Sequence, residues 1–302
     1  MIKRIVILLA AAALLVMPLA TAEVRVALSM GHTDTARDIA VARSILSQLD
    51  GDSFSVHLVS ADGSLSRQIS DIKGLVEDKP DYLLVSAVRS IGLGSAIAEA
   101  RQAGVSVILV DHFSTDAAPE DVLTSIGVDW GWAGAACADI LGDCFKDAQA
   151  SLLEVQGASI FSATQEASKG FRAALREHEG LQLAGVLAGG SDRQTASQAL
   201  LNFIEEKGFC FDAVFAHGDE QALGVINALL SASADEDIPI VCIGGSDDAR
   251  RAMTAGKLFA CVQIADAPGA EVADAIARDM AGENVEPVRL SRGSVQYAME
   301  GR

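Results

Sequence analysis

The chain has 302 residues, 41 acidic and 23 basic side chains, and a formal net charge of −18. That balance excludes partners that demand a basic surface, nucleic acid and anionic membranes above all. Its five cysteines include no C-x-x-C pair, and its histidines are not at metal-ligand spacing, so no metal site and no cofactor is expected.

The first 22 residues read as a leader for export. Lys3 and Arg4 open it, an unbroken apolar run fills 5–16, Pro18 breaks the run, and Ala20-Thr21-Ala22 offers a small-x-small cleavage box. The run is shorter than the roughly 20 residues a membrane span needs. Cleavage after Ala22 would place a soluble chain in the periplasm, and a chain of that length exceeds one ordinary core, which predicts two lobes.

Strand-like and helix-like runs then alternate. A strand over 24–29 precedes a helix over 35–49, where Ile39, Ala42, Ile45, Leu46 and Leu49 form one stripe. Strands over 54–60, 81–86 and 106–111 alternate with helices over 65–78 and 93–103, the latter closed by Gly104 at its C-cap position. A second series starts near Ile126. Helices over 131–141, 163–177, 193–207, 220–231, 249–255 and 269–281 separate strands over 151–155, 183–188, 213–216, 238–244 and 258–264. This β-α-β rhythm predicts parallel sheets covered by helices on both faces. The two series share one plan, which suggests lobes of related architecture. The expected division is residues 23–126 plus 264–286 for the N-terminal lobe and 127–263 plus 287–302 for the C-terminal lobe.

Polar residues gather where the strands end. The first strand runs into Ser29, His32, Asp34 and Arg37, the third into Arg89, and the fourth into Asp111 and His112. In the second series the strand ends carry Asp219 and the run Gly244-Gly245-Ser246-Asp247. Ligands of open parallel sheets bind outside the carboxyl ends of the strands. A polyhydroxyl ligand needs convergent donors and acceptors there, because an unmatched buried polar group costs about 1–3 kcal/mol. Helix N-capping explains Ser, Asp and Gly at such places equally well. It does not explain Asp111 beside His112, nor Arg37 in a helix's first turn, where the dipole disfavours a cation.

Four segments, "PDYLLVSAV…AIAEARQAGVSVILVDH", "LLEVQGASIFSATQEASKGFRAAL", "FDAVFAHGDEQALGVINAL" and "IPIVCIGGSDDARRAMTAGKLFACVQI", carry a resemblance. In order and spacing they resemble the type I periplasmic binding proteins of ABC sugar importers, in the ribose- and galactofuranose-binding branch. The resemblance implies two Rossmann-like α/β lobes with parallel sheets, joined by three crossings, with a sugar held between them. It places Asp111 where the family accepts from sugar hydroxyls, and His112 where arginine is frequent. Asp219 matches the aspartate of an Asn-Asp pair whose asparagine is replaced by Gly218. Ser246 and Asp247 fall on a Phe-Asp-Gly motif, and Gln263 on a polar residue of a crossing strand. Arg37 and Arg89 lie in segments that line the cleft in relatives. The family's arginine four residues before Phe171 falls on Ala167, and Asp129-Trp130 replaces Asp-Asn. The implied ligand set is therefore altered, with Phe161, Phe113, Trp130 or Trp132 available for stacking or for the core. Cys144 and Cys210 fall where galactofuranose-binding relatives carry a disulfide, and the resemblance implies that bond here.

No G-x-S-x-G elbow, P-loop or G-x-G-x-x-G opens a helix, and His217 with Asp219 lacks a nucleophile, so no enzymatic activity is expected. A transcriptional effector domain of the same fold is disfavoured by the leader and by the absence of a basic helix-turn-helix. The remaining alternatives are a monomeric binding protein that feeds an ABC permease and a ligand sensor that presents its closed form to a histidine kinase or chemoreceptor.

Overall fold

The computed structural model describes residues 23–146, 148–233, 238–264 and 267–298, and the expected leader lies outside them. The elements run β1 (Val24–Met30), α1 (Ala36–Gln48), β2 (Phe54–Ser60), α2 (Leu65–Glu77), β3 (Tyr82–Ser86), α3 (Gly94–Gln102), β4 (Ser106–Val110) and β5 (Thr124–Val128). They continue with α4 (Trp130–Phe145), β6 (Ala150–Gln156), α5 (Ser162–Leu175), β7 (Leu181–Ala188), α6 (Arg193–Lys207), β8 (Ala213–Ala216), α7 (Asp219–Ser231) and β9 (Ile240–Gly244). Last come α8 (Asp247–Thr254), β10 (Ala260–Gln263), α9 (Gly269–Met280), β11 (Val288–Ser291) and β12 (Ser294–Tyr297).

Two six-stranded sheets result. Their orders are β2-β1-β3-β4-β5-β11 and β7-β6-β8-β9-β10-β12, so the lobes share one plan, as the sequence similarity of the two series suggested. Every pairing is parallel except that of β12 with β10. Parallel strands buried on both faces read as continuous apolar runs, and β3 and β8 are buried at every residue. Helices α1 and α9 cover one face of the first sheet, and α2 and α3 the other. Helices α4 and α5 cover one face of the second sheet, while α6, α7 and α8 cover the opposite one. Several helices start on a side-chain cap that satisfies an otherwise orphaned amide. The caps include Thr35 on Asp38, Asp129 on Trp132 and Asp192 on Thr195.

The chain passes between the sheets three times, after β5, after β10 and between β11 and β12. These crossings lie side by side. The Asp129 amide donates to the Ser291 carbonyl at 2.9 Å, and Arg292 Nε pairs with Asp129 Oδ2 at 2.9 Å. Gly293 leaves room for its neighbour, since a Cβ there would lie 1.6 Å from the Gln263 carbonyl oxygen.

Two expectations are corrected. The expected second-lobe segment 287–302 is divided over its described part, 287–298: β11 pairs with β5 in the first sheet and β12 with β10 in the second, while residues 299–302 lie outside the described residues. The short β11 and β12 runs alternate polar and apolar at sheet edges, so sequence alone does not assign them to a partner strand. The Cys144–Cys210 disulfide is not formed, and both thiols are free. Cys144 ends α4 on one face of the second sheet, whereas Cys210 follows α6, which packs on the other. Cys242 and Cys261 are buried, as their apolar runs predicted.

Candidate functional site

The strand ends of the two sheets come together, and the lobes touch along one edge of the gap. The Ser90 amide and hydroxyl both donate to the Ile160 carbonyl, at 2.8 and 2.9 Å. Phe161, just ahead of α5, reaches from the second lobe to two histidines of the first. Its ring stacks on His112 at a centroid distance of 4.9 Å and meets His32 edge-on at 5.5 Å. Of the four aromatics singled out by sequence, Trp130 and Trp132 pack on the core of the second lobe and Phe113 on that of the first.

Asp111 anchors the first lobe's side. It directly follows β4 with φ +61, a left-handed conformation that aspartate tolerates better than most residues. Arg37, in the first turn of α1, donates to Asp111 Oδ1 from Nε at 3.1 Å and from its terminal nitrogen at 2.6 Å. This explains a cation at that helix start. The carboxylate's charge outweighs the dipole. Burial works against ionisation of Asp111, but the charges of Arg37 and His112 hold its carboxyl below the usual range. His112 Nε2 lies 3.7 Å from Asp111 Oδ2 and 3.8 Å from Asp38 Oδ1.

The second lobe answers with a hub that the sequence reading missed. Glu154, in the middle of β6, is fully buried and accepts from His217 Nε2 at 2.9 Å, Ser168 at 2.5 Å and Gln156 at 3.0 Å. Arg172 adds two nitrogens at 2.9 and 2.8 Å. Burial alone would raise this carboxyl, yet the hydrogen bonds from His217, Ser168, Gln156 and Arg172 bring it down to about 2. A lone acidic residue inside an apolar strand was the available signal.

Four buried polar atoms near these strand ends have no hydrogen-bond partner among the described residues: Asp111 Oδ2, His112 Nδ1, Trp130 Nε1 and His217 Nδ1. Native interiors rarely leave such groups unmatched, since each costs about 1–3 kcal/mol.

The other polar contacts of the sequence candidates are as follows. Ser29 is buried and accepts from Gln68 of α2 at 3.3 Å. His32 Nε2 lies 3.3 Å from the Val88 carbonyl, and Asp34 is exposed with His32 Nδ1 at 3.9 Å. Arg89 folds back to donate to the Ile91 carbonyl at 3.1 Å. Asp219 spends both oxygens on the β9–α8 loop, accepting from the amides of Gly245 and Ser246 at 2.9–3.2 Å. Ser246 caps α8, Asp247 pairs with Arg250, and Gln263 accepts from Gln296. The site residues thus divide into a group at the interlobe contact, His32, Arg37, Asp111, His112 and Phe161, and a group engaged in loops and caps.

Two lobes of parallel sheet with one strand order, three crossings and polar groups between the strand ends define a type I periplasmic binding protein. The comparisons agree. Residues 28–284 match the periplasmic binding protein domain family, and the chain belongs to that family. It is 30% identical over 245 residues to the ribose import binding protein of Salmonella typhimurium, covering 79% of each chain. The periplasmic component of the arabinose ABC transporter from Shewanella, solved with arabinofuranose, superposes with a TM-score of 0.83 at 20% identity, covering 91% of this chain and 92% of that one. The fructose-binding periplasmic domain of a hybrid two-component system superposes at 0.80, with 20% identity and 92% of each chain covered. No described helix is long and apolar enough to cross a membrane.

Proposed function

We propose that this chain captures a sugar or sugar derivative between its lobes in the periplasm and, as a monomer, delivers it to an ABC permease. The observation that carries this is the set of orphaned buried atoms, Asp111 Oδ2, His112 Nδ1, Trp130 Nε1 and His217 Nδ1. Hydroxyls both donate and accept, so a polyol satisfies a carboxylate oxygen, an indole N–H and imidazole nitrogens together. Arg37 and Asp38 position the first lobe's groups, Glu154 fixes the His217 ring, and Phe161 gives an apolar face between the lobes. Membership of the family, and the sugars bound by the relatives just named, support the same ligand class.

The mechanism is a population shift. A ligand that bridges Asp111 on one lobe and His217 on the other makes its full set of contacts only when the lobes are together, so it favours the closed state. The crossings, tied by Asp129, Ser291 and Arg292, serve as the hinge. No nucleophile is needed, and the ligand leaves unchanged.

A second reading, a sensor whose closed form is read by a kinase or chemoreceptor, draws on the likeness to the periplasmic domain of the hybrid two-component system. Neighbouring genes for an ATPase and a permease would favour import, and a kinase with a response regulator sensing. The ligand itself is tested by mass spectrometry of small molecules released on denaturing freshly purified protein, followed by calorimetry. A single sugar or polyol is expected. Protein that releases none and gives no heat with a panel of pentoses, hexoses and polyols refutes the reading.

A further inference from the structure

We propose that Cys242, Cys261 and Asp219 form a binding site for a thiophilic divalent cation, zinc above all. No sequence pattern announces it. Cys242 and Cys261 stand on different strands, and neither belongs to a C-x-x-C pair. The parallel pairing of β9 and β10 sets them directly opposite each other, which turns both side chains to one face of the sheet. Their sulfurs lie 3.7 Å apart. Asp219, the first residue of α7, brings Oδ1 to 3.7 Å from Cys242 Sγ, and one ligand atom from each of the three falls within 4.8 Å of the others.

The two separations from Cys242 Sγ, to Cys261 Sγ and to Asp219 Oδ1, match edges of a tetrahedral zinc site. With Zn–S of about 2.3 Å and Zn–O of about 2.0 Å, the S···S edge of a tetrahedron is about 3.8 Å and the S···O edge about 3.5 Å. The cation would displace two thiol protons and draw the Asp219 carboxylate and Cys261 Sγ, which lie within 4.8 Å, onto one centre. The two buried thiols stand in paired register beside the Asp219 carboxylate. That carboxylate is already oriented, as ligating carboxylates are, by hydrogen bonds from outside the cluster. The Gly245 and Ser246 amides hold it. Gly244 keeps its place clear, because a Cβ there would lie 2.2 Å from Asp219 Oδ1. Three protein ligands leave the fourth position of a tetrahedral ion to water.

Bound zinc would tie β9, β10 and α7 together beneath the β9–α8 loop.

The test uses reduced protein stripped of metal by a chelator. Zinc is measured by elemental mass spectrometry after loading and desalting, and cobalt(II) is used as a spectroscopic probe. One zinc per chain and thiolate-to-cobalt charge-transfer bands are expected. Both should survive in a Cys137→Ala, Cys144→Ala, Cys210→Ala variant. In Cys242→Ala, Cys261→Ala the bands should vanish and zinc affinity fall at least a hundredfold. Asp219→Asn should weaken zinc about tenfold yet keep the thiolate bands. If the double variant fails to fold, the wild type and the triple variant decide the matter alone. Absent thiolate bands in wild type, metal that follows the other three cysteines, or a Cys242–Cys261 disulfide in protein alkylated during purification overturns the proposal.

Discussion

Glu154→Gln probes the second lobe's polar hub directly. Glu154 has no exposed surface, and its carboxyl is held at about 2 against an ordinary 4.5. Such a lowering corresponds to about 3 kcal/mol of folding free energy at neutral pH. Its partner Arg172 is 42% exposed, so solvent screening reduces the figure to about 2–3 kcal/mol. Because the folded carboxyl is the stronger acid, this stabilisation is complete above about 4.5 and is lost as pH falls toward about 2. Glutamine keeps the shape but loses the charge that Arg172 and His217 meet. Both tryptophans, Trp130 and Trp132, lie on α4 of the same lobe, so fluorescence during urea unfolding reports on it. With a denaturant slope of about 2 kcal/mol per M, the midpoint should fall by about 1–1.5 M at pH 7. The gap between variant and wild type should narrow steadily below pH 4.5. A midpoint within about 0.3 M of wild type at pH 7, or a gap that stays constant down to pH 3, refutes the account of this hub.

Three further outcomes are expected. Asp111→Asn preserves a residue that tolerates φ +61 but removes the charge facing Arg37, so calorimetry with the identified sugar should show affinity down about thirtyfold, worth about 2 kcal/mol. Unchanged affinity removes Asp111 from the site. Phe161→Ala deletes the ring that meets His32 and His112 across the gap and should weaken binding about tenfold, with a larger radius of gyration in ligand-loaded solution scattering. An unaltered radius and affinity would show that the ring does not hold the lobes together. Gly244→Ala sets a Cβ against the Asp219 carboxylate at a residue with φ +150, and should lower the thermal midpoint by roughly 4–8 °C. An unchanged midpoint would mean that the loop rearranges freely.

Much of this protein was written locally along the chain. Periodicity located most helices and strands, because an apolar stripe or a continuous β-branched run encodes its own burial. The similarity of the two series announced a shared lobe plan, and polar residues after the strands marked the edge at which the two lobes meet. Arg37 and Asp111 were legible for the same reason: a cation in a helix's first turn and an acid closing an apolar strand are both out of place until paired. What sequence left open was every relation across distance. It showed that β11 and β12 could be strands but not that each completes a different sheet, because edge pairing depends on where the crossings return the chain. It offered Ser29, Asp219, Ser246 and Asp247 as ligand contacts, since a capping carboxylate and a binding one look alike until their partners are known. It did not assemble Glu154 with Ser168, Arg172 and His217, or set Cys242 against Cys261, because those encounters are made by strand order and register, which only the folded sheet decides.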